Sequence, residues 1–249
     1  MPDNAHRLTR RQTINALSAL GAGAMLGGGL RLGGPDDGVS VAEAAAACAL
    51  TPEAEEGPFY VDLERIRRNI VGGRSGVPLL LRIKVVDASS CKVLRGAAVD
   101  IWHADAIGKY SDEGSNGTSG QTWLRGVQLT GSGGMAEFRT IYPGFYQGRT
   151  PHIHVKVHIG GAASGSRYAG GHVSHTGQLY FSESISDQVY KLAPYTQDPN
   201  TLTRHSADRI YSGQGGSKST IRLKRRGASL RSDGLLGTIT LAVTPSASR

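Results

Sequence analysis

From residue 48 onward apolar and polar positions alternate, the two-residue period of half-buried strands. Residues 79–86 (Leu-Leu-Leu-Arg-Ile-Lys-Val-Val) and 97–102 (Ala-Ala-Val-Asp-Ile-Trp) read as consecutive strands, separated by the turn formers Asp87-Ala-Ser-Ser-Cys91. Residues 138–141 follow a Gly-Ser-Gly-Gly turn, residues 152–159 alternate most cleanly of all, and residues 238–243 supply a closing strand. Helical signals are few and fall on residues 62–69 and 186–192. The Gly-rich residues 160–175 read as a flexible loop, the basic run 222–226 as a solvated loop between two strands, and residues 245–249 as a loose tail. There is no internal repeat. Short strands with turn signals roughly every 8–12 residues predict an all-β fold, an antiparallel β-sandwich with long loops and one or two short helices.

Composition sharpens this picture without changing it. The chain has 249 residues, 35 of them Gly, and aromatics make up only 6%, in keeping with many turns between short elements. No run approaches the ~18 consecutive apolar residues of a membrane span. Residues 1–47 read as an export signal and linker, leaving 48–249 as the folded domain. Arg10-Arg11 precedes a charge-free Ala/Gly/Leu stretch that runs to Leu30, the twin-arginine arrangement, although Thr13 stands where Phe is more usual. A chance arginine pair in an unstructured N-terminus is the competing reading. The expected location is therefore outside the cytoplasm: periplasmic, cell-surface or extracellular. Cys48 and Cys91 are the only cysteines, and in an exported chain such a pair predicts a disulfide. Lipid attachment at Cys48 is the alternative, against which Ala45 stands three residues ahead in place of Leu.

The net charge is +8, and residues 1–47 carry four basic and four acidic side chains, so the folded part is itself basic. Nucleic acid is not the expected partner, because no aromatics interleave with the dense run at 222–226. A basic surface would attract anionic aromatic material.

The candidate chemistry centres on residues 152–159, His-Ile-His-Val-Lys-Val-His-Ile. On a strand, His152, His154, Lys156 and His158 share one face, and Ile153, Val155, Val157 and Ile159 share the other, the core face. Two histidines at i and i+2 can grip one ion, yet by themselves they fit an ordinary polar face equally well. Just upstream, Tyr142-Pro-Gly-Phe-Tyr146-Gln-Gly-Arg149-Thr-Pro151 is conformationally committed by its prolines and brings a tyrosine and an arginine up to the strand. Earlier, the run from Asp100 to Tyr110 ends a strand with a Gly108 turn and a second tyrosine.

These segments, together with Glu56-Gly-Pro-Phe-Tyr60 and Thr176-Gly-Gln-Leu-Tyr180, resemble the intradiol ring-cleavage dioxygenases from about Cys48 to the end, and most closely their short exported branch. The resemblance implies one non-haem Fe(III) per chain, held by Tyr110, Tyr146, His152 and His154. It implies that Arg149 lies over the substrate, that Gln178 supports Arg149, that Tyr146 is the tyrosinate that leaves when a catechol binds, and that Tyr60 either lines the pocket or packs. The reactants would be a small aromatic diol and O2, and the product a muconate-type diacid. The chain lacks the N-terminal helical region through which the cytoplasmic catechol enzymes dimerise, so the oligomeric state, homodimer included, stays open. Residues 160–175 look like an insertion relative to the exported branch. Chemistry supports these residue types independently. A phenol with a pKa of ~10 binds as phenolate only to a strongly Lewis-acidic ion, and two phenolates plus hydroxide neutralise a trivalent charge.

Two rival readings remain. One is a cupin or zinc enzyme built on the His pair; a cupin expects Glu where Val157 and His158 stand. The other is an exported sandwich that binds aromatics or sugars without catalysis. His103, His158, His172 and His175 read as structural or surface residues, and Asn116-Gly-Thr118 as a chance glycosylation sequon.

Overall fold

The computed structural model describes residues 48–248, so the twin-arginine leader, its linker and its cleavage region lie outside the described residues. Two four-stranded sheets face each other. The first runs β4 (Met135–Ile141), β1 (Pro78–Asp87), β10 (Leu235–Val243), β9 (Arg222–Arg225); the second runs β3 (Arg125–Leu129), β2 (Ala98–Trp102), β5 (His152–Ile159), β8 (His172–Tyr180). Pairing is antiparallel throughout except between β1 and β10, which lie parallel from Leu79 opposite Leu235 to Asp87 opposite Val243. The all-β sandwich is as expected.

Alternation explains why the sheets close on each other. Leu79, Leu81, Ile83 and Val85 of β1 and Phe138 of β4 meet Val99, Ile101, Ile153, Val155, Val157 and Leu179 of the second sheet in one buried cluster. Each such side chain contributes roughly 1.5–3 kcal/mol on full burial. The face of β5 predicted to be core is the core face, and His152, His154 and Lys156 project from the outer side of the second sheet.

Three expectations need correction. Residues 62–69 form no helix. They run along β3 and on to β4 instead, where Ile66 bridges Val127 of β3 and Asn69 bridges Arg139 of β4, so edge hydrogen bonds outcompete local helical propensity. Residues 160–175 are not a flexible loop: they hold the hairpin β6 (Ala162–Ser164) and β7 (Arg167–Ala169) and the start of β8. Tyr168 anchors that hairpin, buried against Ala98 and Val127, its hydroxyl accepting from the Gly161 amide. The basic run at 222–226 is largely strand β9, paired with β10. The second expected helix exists three residues early, as α1 (Glu183–Val189), followed later by α2 (Arg209–Gly213). Among the described residues no helix is long and apolar enough to cross a membrane.

Cys48 and Cys91 are disulfide-bonded with a Cα–Cα separation of 5.4 Å, tying the start of the described domain to the β1–β2 turn across 43 residues. A loop of that length restricts the unfolded chain, so Cys91→Ser is expected to lower the unfolding free energy by about 3–4 kcal/mol. Denaturant titration of both proteins checks it; an unchanged midpoint refutes the stabilising role.

Candidate active site

The site is built on the outer side of the second sheet. His152 Nδ1 donates to the Thr150 carbonyl at 2.7 Å, which fixes the tautomer and leaves Nε2 bare. That nitrogen faces His154 Nε2 at 3.1 Å. The β2–β5 register sets Trp102 beside His154, where indole and imidazole stack at 4.9 Å and 7°. Burial, then the Arg149 charge, lowers His152 to about 3. Burial, then His152, holds His154 well below the usual histidine range. Both rings are neutral at neutral pH.

The tyrosines arrive on two turns pressed together. Gly108 adopts φ +79°, and a Cβ there would lie 2.1 Å from the Phe145 carbonyl oxygen, so only glycine lets the turn before Tyr110 rest directly on the segment before Tyr146. Tyr110 is fully buried, its ring stacked on Phe59 at 4.3 Å, and among the described residues its hydroxyl has no partner but the Tyr146 hydroxyl. Tyr146 Oη lies 3.4 Å from His152 Nε2, and its ring centroid is 6.0 Å from that of Tyr110. Burial raises both phenols above their ordinary value. Left to themselves they stay protonated.

Arg149 joins the cluster through a polar network. Its guanidinium donates to Tyr146 Oη at 3.3 Å, to Gln178 Oε1, and through Nε to both oxygens of Asp208 at 3.0 and 3.2 Å. Gln178 also accepts from the Tyr180 hydroxyl at 3.0 Å and donates to the Glu55 carbonyl at 2.8 Å. Asp208 is fully buried and is the N-cap of α2, accepting from the amides of Ile210, Tyr211 and Thr150. Burial alone would raise its pKa, but the Thr150 amide and the Arg149 charge prevail and hold it below the usual carboxylate range.

Tyr60 packs on Trp102 at 4.7 Å, lies under the Lys156 ammonium at 3.6 Å, and donates its hydroxyl to Asp100 at 3.2 Å. Both its hydroxyl and its ring are thereby engaged within the protein. Gly57, at φ +74°, brings this loop against His154, 3.1 Å from where a Cβ would stand.

Tyr110, Tyr146, His152, His154, Arg149 and Gln178, drawn from four separate segments, are therefore brought together. His103 is held elsewhere, between the Ala104 carbonyl and Thr140 Oγ1. Sequence reasoning missed Asp208, and Arg125, whose buried guanidinium binds Ser111 and the Phe59 carbonyl and lies over Tyr110. Neither sits in a recognisable pattern; only the Asp-x-x-Tyr start of a short helix could have drawn attention to Asp208.

The residues fit a trivalent ion. The Nε2 atoms of His152 and His154 face each other at 3.1 Å, and the Tyr110 hydroxyl is buried with no partner but the Tyr146 hydroxyl. Among the described residues no three His, Cys, Asp or Glu side chains converge on a metal position, so an ion here must draw on tyrosine oxygen. Phenolate oxygens with imidazole favour a hard, highly charged ion over zinc.

A family model described as dioxygenase matches residues 55–197. The intradiol ring-cleavage dioxygenase from Tetranychus urticae is 34% identical, with a TM-score of 0.73 over 81% of this chain and 98% of that one. The dioxygenase domain of a dioxygenase carbohydrate-binding protein fusion from Streptomyces sp. SirexAA-E is 29% identical, with a TM-score of 0.53 over 78% and 97%. Catechol 1,2-dioxygenase 1 of Acinetobacter lwoffii is 34% identical over 98 residues, which is 37% of this chain and 31% of that protein.

Burial raises Asp100, beside the site, to about 7. Between about pH 4, where the unfolded carboxyl titrates, and pH 7, the folded chain keeps a proton that the unfolded chain releases. Stability from this group therefore falls as pH rises through that window. Asp100→Asn keeps an acceptor for Tyr60 and should flatten the slope, measured as melting temperature against pH; an unaltered slope removes Asp100 as its source.

Proposed function

Because the chain belongs to the intradiol ring-cleavage dioxygenases, we propose that it opens a catechol-type diol between the two hydroxyl-bearing carbons, both atoms of O2 entering a muconate-type diacid. The observation that carries this reading is the meeting of Tyr110, Tyr146, His152 and His154 beside a buried arginine. Tyr110 and Tyr146 as phenolates, with His152 and His154 through Nε2, would hold Fe(III). Bound there, the ion supplies the Lewis acidity that keeps phenols deprotonated and draws electron density from a chelated ring, making it reactive toward O2.

The chain's own residues do the rest. The Thr150 carbonyl keeps the His152 proton on Nδ1, so the coordinating nitrogen needs no proton removed. Tyr146, partly exposed where Tyr110 is sealed, is the phenol that can leave and accept a proton from a substrate hydroxyl at its Oη. Arg149, already donating to that Oη, is placed to stabilise negative charge on the ring oxygen that replaces it, a preorganised electrostatic contribution. Gln178 and Asp208 hold the guanidinium in place before substrate arrives. Phe59 and Trp102 cover Tyr110 and His154 and keep water from them.

The proposal extends to location. Export through the twin-arginine pathway agrees with the Cys48–Cys91 bridge, since disulfides persist in oxidising compartments.

Iron-loaded protein should show a visible phenolate-to-iron absorption that shifts on anaerobic addition of catechol, and should consume O2 with catechol in air. Tyr110→Phe should lose most of the colour and activity; full retention of both removes Tyr110 from the ligand set. Asp208→Asn keeps a capping oxygen but loses the charge facing Arg149. It should lower kcat about 10–100-fold with iron content and folding intact, and an unaltered kcat overturns its supporting role.

A further inference from the structure

The ring-cleavage site occupies the outer side of one sheet; the outer side of the other carries an excess of charge that catalysis does not use. By register, Leu80 of β1 lies between Arg139 of β4 and Leu236 of β10, which in turn opposes Lys224 of β9. The next row is Glu137, Arg82, Thr238 and Arg222, and Lys84 follows on β1. Arg68 and Arg226 flank these rows at the rim of a groove of about 440 Å3 floored by Val71, Pro78 and Leu80.

Seven basic side chains thus share the face with one acid on its strands. Glu137 is already taken by both Arg68 and Arg82. Arg139, Arg222, Lys224 and Arg226 make no ion pair or side-chain hydrogen bond among the described residues. Charge on β9 has a bland explanation, since basic residues blunt an edge strand against wrong pairing. That explanation does not reach Lys84 on the central strand β1, which lies between Met135 and Thr240, while Arg82 there is held by Glu137. The register sets no two of these like charges directly opposite, so the sheet carries the positive excess outward, where a docked anion would neutralise it.

We propose that this face docks a polymer carrying carboxylates on aromatic units. Guanidinium groups both fork onto carboxylates and stack on aromatic rings, and the floor of the groove between them is aliphatic. A membrane surface fits less well, for no Trp, Tyr or Phe on these strands' outer side could insert into it. Single-stranded nucleic acid would lack aromatics to stack on. Because the two outer faces point in opposite directions, a docked polymer leaves the dioxygenase site open, and the docking does not depend on the catalytic reading.

The test uses the full chain at physiological ionic strength, with poly(vinylbenzoate) and the aromatic-free polyacrylate as probes. Poly(vinylbenzoate) should bind about tenfold more tightly. Arg139→Glu and Lys224→Glu should each weaken it about five- to tenfold, while Arg225→Glu should weaken it less than about twofold. Arg225 lies on the same strand as Lys224, but its side chain turns to the other face and reaches Gln188. Leu80→Ser should erase the preference between the polymers. Equal losses from all three charge reversals would mean that net charge alone acts, and the face would be dismissed. Equal binding of the two polymers, or stronger binding to phosphatidylglycerol vesicles or duplex DNA than to poly(vinylbenzoate), would likewise overturn the proposal.

Discussion

Side chains leave a strand alternately to either side, so the strand that buries Ile153, Val155 and Val157 between the sheets must hold His152 and His154 on its outer side. Everything at the site is arranged around that division. A slip of one residue in the β2–β5 register would turn the histidines into the core and the valines outward, at a cost no local change could offset. The five-pair ladder between β2 and β5 that protects the fold therefore also protects the geometry of the two imidazoles. Their position needs no loop to define it.

The tyrosines have no such guarantee. They sit on turns, and their placement depends on contacts that glycine permits: Gly108 against the Phe145 carbonyl, Gly57 against His154. Burial makes both phenols weaker acids and both imidazoles weaker bases. A site that resists forming phenolate unaided, yet turns two phenol oxygens and two imidazole nitrogens toward one another, gains most from a strongly charged cation and least from water.

Much of this was legible beforehand because it is periodic or local. The core faces of β1 and β5 follow from alternation, and the conjunction of Gly108, Tyr110, Tyr146, Arg149 and the two histidines is dense enough to recognise. What could not be read depends on distant partners. Residues 62–69 look helical until the edge of β3 offers them hydrogen bonds, and the glycines of 160–175 look loose until Tyr168 finds its pocket beside Ala98 and Val127. The parallel pairing of β1 with β10 joins segments about 150 residues apart and has no signature in either segment, since both parallel and antiparallel strands alternate. Asp208 was invisible for the same reason: its meaning comes from Arg149, 59 residues away.

That aspartate serves two masters. One carboxylate closes the first turn of α2 through the Ile210 and Tyr211 amides and grips the guanidinium that reaches Tyr146. The first turn of this five-residue helix and the guanidinium thus share one carboxylate. Hydrogen exchange at those two amides becomes a gauge of how often Arg149 loses its carboxylate partner.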